Sequence, residues 1–152
     1  MGRKHDIGAW HKGTYLIYMS TVGNQFAKVD GKIIQVDGLW FGVQRRTVED
    51  KNHFIYDAEG NVSYKKEKIY TVTELTTGLS INILYNDCKT LDKCIKRAEQ
   101  FIEGDGLKLL SREEYKRVRR LCATEYEKYL DVTKTYKLLW ENKDFVEAAC
   151  GV

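Results

Sequence analysis

The sequence has 152 residues, of which 43% are hydrophobic and 31% charged, so it can form one folded domain with its own core. Its 25 basic side chains are nearly balanced by 22 acidic ones, which disfavours both a strongly basic duplex-binding domain and an acidic mimic of nucleic acid. No apolar run reaches the roughly 20 residues that cross a bilayer and no secretory segment is evident, which predicts a cytoplasmic protein with reduced cysteines.

The first part of the chain, to about residue 85, is predicted to form an antiparallel sheet of four to six strands. Its segments are rich in β-branched and aromatic residues, and the last of them alternates apolar with polar positions, as in a sheet with one buried face. The segments with strand character are residues 14–19, 26–36, 39–44, 53–56, 62–64, 69–75 and 79–85.

Turn-forming residues separate these segments. Asp30-Gly31 is the strongest short turn signal, so it predicts that residues 26–36 fold into a hairpin. Glycine and asparagine in the later connections supply the positive φ angles that tight turns need. The other predicted turns lie at residues 37–38, 57–61 and 76–78.

The pattern changes to a helical one after residue 90. Residues 91–102 place apolar side chains three and four positions apart, which predicts an amphipathic helix. Thr90 stands at its N-cap position and Gly104 directly after its end. A second helix is predicted from about residue 112, with Ser111 and Glu114 as a capping box.

These elements predict one α+β domain over residues 1–152. The sheet covers residues 14–85, one helix over 90–103 packs on it, and a helical part over 112–147 follows. Residues 1–12 are expected to be loose, and residues 107–152 are expected to form a helical extension.

The sequence lacks the motifs of the common enzyme classes. It has three histidines and no nucleophile elbow, phosphate loop or dinucleotide-binding glycine pattern, and its four cysteines lack zinc-ligand spacing. Asp30, Asp37, Asp57 and Glu74 would support a metal-dependent hydrolase only if the fold brought them together. Glu125 would support proton transfer only as a half-buried carboxylate without a neighbouring cation. We therefore expect a non-enzymatic protein with no cofactor.

Three groups of residues are candidates for binding. Four cations on the predicted second helix fall within an arc of about 100°. Such a face could bind phosphates or an acidic protein surface, and it is equally typical of a helix face that contacts only water. Arg45-Arg46 follows Trp40, and arginine beside exposed aromatic surface is typical of protein-binding hot spots. Lys65-Lys66 is explained most simply as protection of an edge strand. The candidate binding residues are Arg112, Lys116, Arg119, Arg120, Arg45, Arg46, Trp40, Lys65 and Lys66.

Composition indicates an origin and a class of protein. The chain has no proline, and its lysine-rich composition indicates an A/T-rich coding genome. Its ten tyrosines and three tryptophans exceed the needs of one small core, and these residues are favoured at interfaces. In size, strand order and composition the chain resembles small phage and mobile-element accessory proteins that inhibit host defence, anti-CRISPR proteins among them. It matches no family motif.

The resemblance implies a protein that binds a bacterial defence effector, such as a CRISPR nuclease complex loaded with nucleic acid, in the host bacterial cytoplasm and away from membranes. The cationic helix face and Arg45-Arg46 are the residues expected to contact acidic patches or effector-bound nucleic acid. Two further interpretations stay open: a regulator that binds nucleic acid directly, and a protein that sequesters a signalling nucleotide in a tyrosine-lined pocket of the sheet.

Overall fold

The computed structural model describes residues 5–19, 25–82 and 88–128, and these form a five-stranded antiparallel sheet with three helices. This confirms the α+β class and the expected size of the sheet. The strands follow one another in chain order across the sheet. They are β1 (His11–Met19), β2 (Gln25–Val36), β3 (Leu39–Tyr56), β4 (Val62–Glu74) and β5 (Leu79–Ser80), and the helices are α1 (Leu91–Glu103), α2 (Gly106–Leu110) and α3 (Glu113–Tyr126).

β2 is one continuous strand, so the predicted hairpin turn at Asp30-Gly31 is wrong. Both residues lie within the ladder between β1 and β2. The turn predicted at residues 37–38 is confirmed: Asp37-Gly38 joins β2 to β3, with φ angles of 49° and 85°. Two consecutive positive φ angles are what a tight two-residue hairpin requires.

β3 and β4 form a hairpin that extends far beyond the rest of the sheet. β3 pairs with β2 only as far as Val43 and then continues to Tyr56, paired with β4 alone. The predicted turn over residues 57–61 closes this hairpin. Gly60 has a φ of 82°, and Tyr56 pairs with Val62 across the turn.

The hydrophobic core has two parts. The larger part joins apolar residues of β2, β3 and β4 to Cys94, Ala98 and Phe101 of α1. α1 begins and ends where the sequence predicts, because the Thr90 side chain accepts a backbone N–H of the first turn and Gly104 follows the last turn. The smaller part consists of Tyr15, Leu16, Ile33, Leu75, Cys122 and Tyr126.

α3 buries one of the four cations that its sequence places on a shared outer face. The buried residues are Val118, Arg119, Cys122 and Tyr126. Two hydrogen bonds hold Tyr126 and Arg119 inward. The Tyr126 hydroxyl accepts the Leu16 backbone N–H at 3.0 Å, and the Arg119 guanidinium donates to a backbone carbonyl of α2 at 2.5 Å.

The predicted capping box before α3 is not formed. The Ser111 hydroxyl donates to the Lys108 carbonyl at 2.6 Å and so closes α2, a short helix that the sequence pattern did not reveal. Arg112 occupies the N-cap position of α3 without a side-chain cap bond. The helical part predicted beyond residue 128 lies outside the described residues.

The described residues of the segment that was expected to be loose, 5–12, contact the body of the domain. Their backbone pairs with β2 and with the turn that follows it. The His5 side chain is 6% exposed and lies 2.6 Å from a carboxylate oxygen of Asp37 and 2.6 Å from one of Glu103. Hydrogen bonds to these carboxylates raise the pKa of His5, so its charged form joins this segment to α1.

Within the described part of the chain, no helix is both long enough and apolar enough to traverse a bilayer.

Candidate interaction surfaces

The outer part of the β3–β4 hairpin, residues 47–68, projects from the domain, and we call it the β-arm. None of its described side chains is buried, and every residue from 52 to 63 is exposed. Ten residues of β3 in this arm extend about 30 Å at the usual rise of an extended strand. An isolated two-stranded ribbon gains little stability in water, so the arm contributes little to the core.

The end of the β-arm has an apolar face. Phe54 pairs with Tyr64 and Tyr56 pairs with Val62, so the four side chains lie on one face of the ribbon, and we call them the tip face. The Phe54 and Tyr64 rings are 5.3 Å apart. Phe54, Tyr56 and Val62 are 57%, 70% and 54% exposed, whereas Ile55 lies on the opposite face. Adjacent exposed apolar side chains of this kind are typical of interaction sites.

Hydrogen bonds hold the turn and the bulge of the β-arm in place. The Asp57 carboxylate accepts the backbone N–H groups of Glu59 and Asn61. At the bulge in β3, the Asp50 carboxylate accepts the backbone N–H of Asn52 at 3.0 Å. The N–H groups of Asn52 and Asn61 lower the pKa values of Asp50 and Asp57 respectively. The turn and the bulge are therefore held by hydrogen bonds within the arm itself.

The two predicted lysines of the edge segment lie along the β-arm and are exposed. Lys65 pairs with Asp50 and Lys66 pairs with Glu49 across the two strands. Opposite charges at directly paired positions stabilise a sheet. Residues 47–68 contain four lysines and five acidic residues, so the arm as a whole presents no cationic surface to nucleic acid.

The four cations predicted to share a helix face are separated by the structure. Arg112 and Arg120 are exposed. Lys116 lies 3.5 Å from the carboxylate of Glu113. Arg119 is only 5% exposed and points inward, because its guanidinium binds a carbonyl of α2. These residues therefore do not form one continuous exposed stripe.

Trp40, Arg45 and Arg46 are not brought together as one exposed cluster. Trp40 is partly buried against the smaller core part, with its ring 6.4 Å from that of His11. Arg45 and Arg46 are both exposed, and as consecutive strand residues they point to opposite faces of β3. Arg45 faces a groove that the sequence did not reveal.

This groove lies where the sheet divides into two ribbons. Beyond the Lys32–Val43 pair, β2 pairs only with β1, and β3 pairs only with β4. The resulting space has a volume of about 750 Å³. Its polar lining includes Lys12, Thr14, Asp30, Lys32, Arg45 and Tyr70.

The acidic residues considered for metal binding lie in separate places. Asp30 lines the groove, Asp37 contacts His5, Asp57 closes the β-arm, and Glu74 is the last residue of β4 and binds the β4–β5 turn. Across residues 5–19, 25–82 and 88–128, no three His, Cys, Asp or Glu side chains are grouped so as to hold a metal ion. Glu125 forms an ion pair with a lysine of the next turn at 3.0 Å, as expected for a carboxylate at the edge of a helix.

Sequence reasoning identified residues along the β-arm but missed its tip face. A signal was present, because residues 54–56 are consecutive apolar residues directly before a polar turn. A half-buried strand alternates polar and apolar residues, whereas this run places apolar side chains on both faces of the strand end.

Comparison of the chain with protein-family models, with curated proteins and with solved structures gives no match. Its surfaces therefore carry the functional argument.

Proposed function

We propose that this chain is a non-enzymatic binding protein that inserts the tip face of its β-arm into an apolar cleft of a protein partner. The tip face is the observation that carries the proposal. It presents exposed aromatic and aliphatic side chains from two paired strands, on a turn held by hydrogen bonds. Aromatic side chains are enriched at the centres of protein interfaces.

The exposure of the tip face sets the affinity that it can supply. Complete burial of a large apolar side chain contributes about 1.5–3 kcal/mol. Because the tip-face residues are about half exposed in the free chain, burial against a partner adds about 1 kcal/mol each, or roughly 3–5 kcal/mol together. The preformed turn also lowers the entropic cost of ordering the arm on binding.

The partner that we propose is a bacterial defence effector, such as a CRISPR nuclease complex. The size, strand order and lysine-rich, proline-free composition, which resemble those of phage accessory inhibitors, support this class of partner. The near-neutral β-arm favours a protein cleft over a phosphate backbone as the surface that the tip face contacts. On this proposal the arm blocks the effector by occupying a cleft that the effector needs for its own function.

Plasmid interference tests the proposal. Bacteria expressing one of a panel of CRISPR nucleases should regain transformation by a targeted plasmid when they also express this chain. The double variant Phe54→Ser/Tyr56→Ser should lose this protection, because loss of about 2 kcal/mol weakens binding roughly 30-fold. Ile55→Ser is the matched control, since its side chain lies on the opposite face of the same strand, and it should retain protection.

Two outcomes would contradict the proposal. Absence of protection against every nuclease would remove the defence effector as partner. Protection by the double variant equal to that of the original chain would remove the tip face as the contact surface. Far-ultraviolet circular dichroism confirms that each variant is folded, as expected for substitutions of exposed residues.

A further inference from the structure

Three cations from three strands line the groove between the two ribbons of the sheet. Lys12 of β1 and Lys32 of β2 are directly paired, and Arg45 lies two residues beyond Val43, the β3 partner of Lys32. Like charges at directly paired positions destabilise a sheet. Within the described ranges, no ion pair or side-chain hydrogen bond is made by Lys12, Lys32 or Arg45.

The remaining lining leaves this positive charge uncompensated. Asp30 is the only carboxylate among the lining residues, and it already accepts a hydrogen bond from the Thr14 hydroxyl at 2.6 Å. The groove thus has three cations against one anion, whereas the whole chain has 25 against 22. A local excess of this kind concentrates anions at the groove.

The groove has the size of a site for a small ligand. Its volume of about 750 Å³ falls within the range of roughly 300–1,000 Å³ that is usual for such sites. Tyr70, the β4 partner of Arg45, also lines it, and a tyrosine ring suits the face of a nucleobase. At Gly31 a Cβ atom would overlap the Val43 carbonyl oxygen, so the close approach of β2 and β3 at the fork requires glycine.

We infer that this groove binds the phosphate groups of a nucleotide, with Lys12, Lys32 and Arg45 as their ligands and Tyr70 beside the base. The nucleotide is either free or part of a single strand, because both offer the same phosphate and base. Phosphate fits the site better than the carboxylates of an acidic peptide, since one compact group carries enough charge for several cations that line the same groove and its oxygens match the planar fork of arginine. The site is separate from the tip face, so it stands whether or not the β-arm binds a protein.

Titration calorimetry of the full chain with defined probes tests the inference. The probes are ATP, pyrophosphate, adenosine, a single-stranded thymidine octanucleotide and a polyglutamate peptide. ATP or the octanucleotide should bind, adenosine should not, and affinity should fall as salt rises. Binding of ATP identifies a free nucleotide as the ligand, and binding of the octanucleotide alone identifies a nucleic acid strand.

Substitutions of the cations place the binding in the groove. Arg45→Gln and Lys32→Gln should each weaken binding at least 10-fold and lower the slope of log K against log salt by about one. Arg45→Lys keeps the charge without the planar fork and should have an intermediate effect. Arg120→Gln removes an exposed cation of α3, away from the groove, and should change affinity less than 2-fold.

Three results would overturn the inference: no binding of any phosphate probe at millimolar concentration, polyglutamate binding as tightly as the phosphate probes, or equal weakening by the groove variants and Arg120→Gln. Circular dichroism and urea unfolding of each variant establish that it is folded, so that a loss of binding heat reports on the site and not on unfolding.

Discussion

Replacing Glu74 with glutamine tests whether a buried carboxylate holds the turn between β4 and β5. Glu74 is fully buried, and each of its oxygens accepts two hydrogen bonds. One oxygen accepts the backbone N–H and the hydroxyl of Thr76, and the other accepts the same two groups of Thr77. Glutamine keeps one acceptor oxygen but turns an NH₂ donor towards one of the two threonines.

The structure gives the size of the expected loss. Two of the four hydrogen bonds disappear, and a bond to a charged group contributes about 1.5–3 kcal/mol. The freed hydroxyl can rotate to another acceptor, whereas the freed backbone N–H stays buried at a cost of about 1–3 kcal/mol. The lower desolvation cost of a neutral amide offsets part of this. We therefore expect the free energy of unfolding to fall by about 2–4 kcal/mol, and Tm by roughly 4–16 °C for a domain of this size.

Urea unfolding followed by circular dichroism measures this loss. Glu59→Gln is the control, because Glu59 is exposed in the turn of the β-arm and its replacement should change the unfolding free energy by less than about 0.5 kcal/mol. If Glu74→Gln also changes the unfolding free energy by less than about 0.5 kcal/mol, the hydrogen bonds from Thr76 and Thr77 to Glu74 do not stabilise the fold as expected, which would refute this prediction.

Three further predictions concern titration, packing and reactivity. Hydrogen bonds to Asp37 and to a glutamate of α1 raise the pKa of His5 in the folded chain. The stability that charged His5 gives the fold is therefore complete below the unfolded pKa of about 6.5 and is lost as pH rises through the folded pKa. Urea midpoints of the original chain should fall across that interval and those of His5→Gln should not; parallel pH curves would contradict this. Gly42→Ala places a Cβ 2.7 Å from a carbon of the fully buried Tyr15 ring and should lower the free energy of unfolding by about 1–3 kcal/mol. An unchanged urea midpoint would show that the Tyr15 ring does not pack against Gly42. Burial raises the pKa of Cys122, so a thiol reagent at pH 8 should label it only after unfolding, and rapid labelling of the native chain at this position would refute its burial.

Features that depend on residues close together in the chain were predictable. Thr90 and Gly104 marked the two ends of α1, because a side-chain cap and a terminal glycine act within one helical turn. The turn over residues 57–61 was predictable for the same reason, since Asp57 binds backbone groups only two and four residues away. The α+β class followed from the change in apolar spacing after residue 90.

Features that depend on distant partners were not predictable. Asp30-Gly31 and Asp37-Gly38 carry the same local turn signal and both were predicted as turns, but only the second forms one, because Asp30 and Gly31 pair with β1. Similarly, Arg119 belongs to an exposed face by helical spacing. The Leu110 carbonyl of a different helix, α2, draws it inward. The Tyr126 hydroxyl of α3 accepts the backbone N–H of Leu16, which is 110 positions away in the sequence.

The sequence by itself determined the α+β class, the ends of α1, the turn of the long hairpin and a nearly balanced charge. Tertiary structure alone decided which residues face outward together. The tip face requires the register of β3 against β4, and the groove requires that β2 separate from β3 beyond Val43. The amino-acid composition is the same whether the apolar and charged side chains are covered or exposed. Only the pairing of the strands determines which of these side chains a ligand can reach.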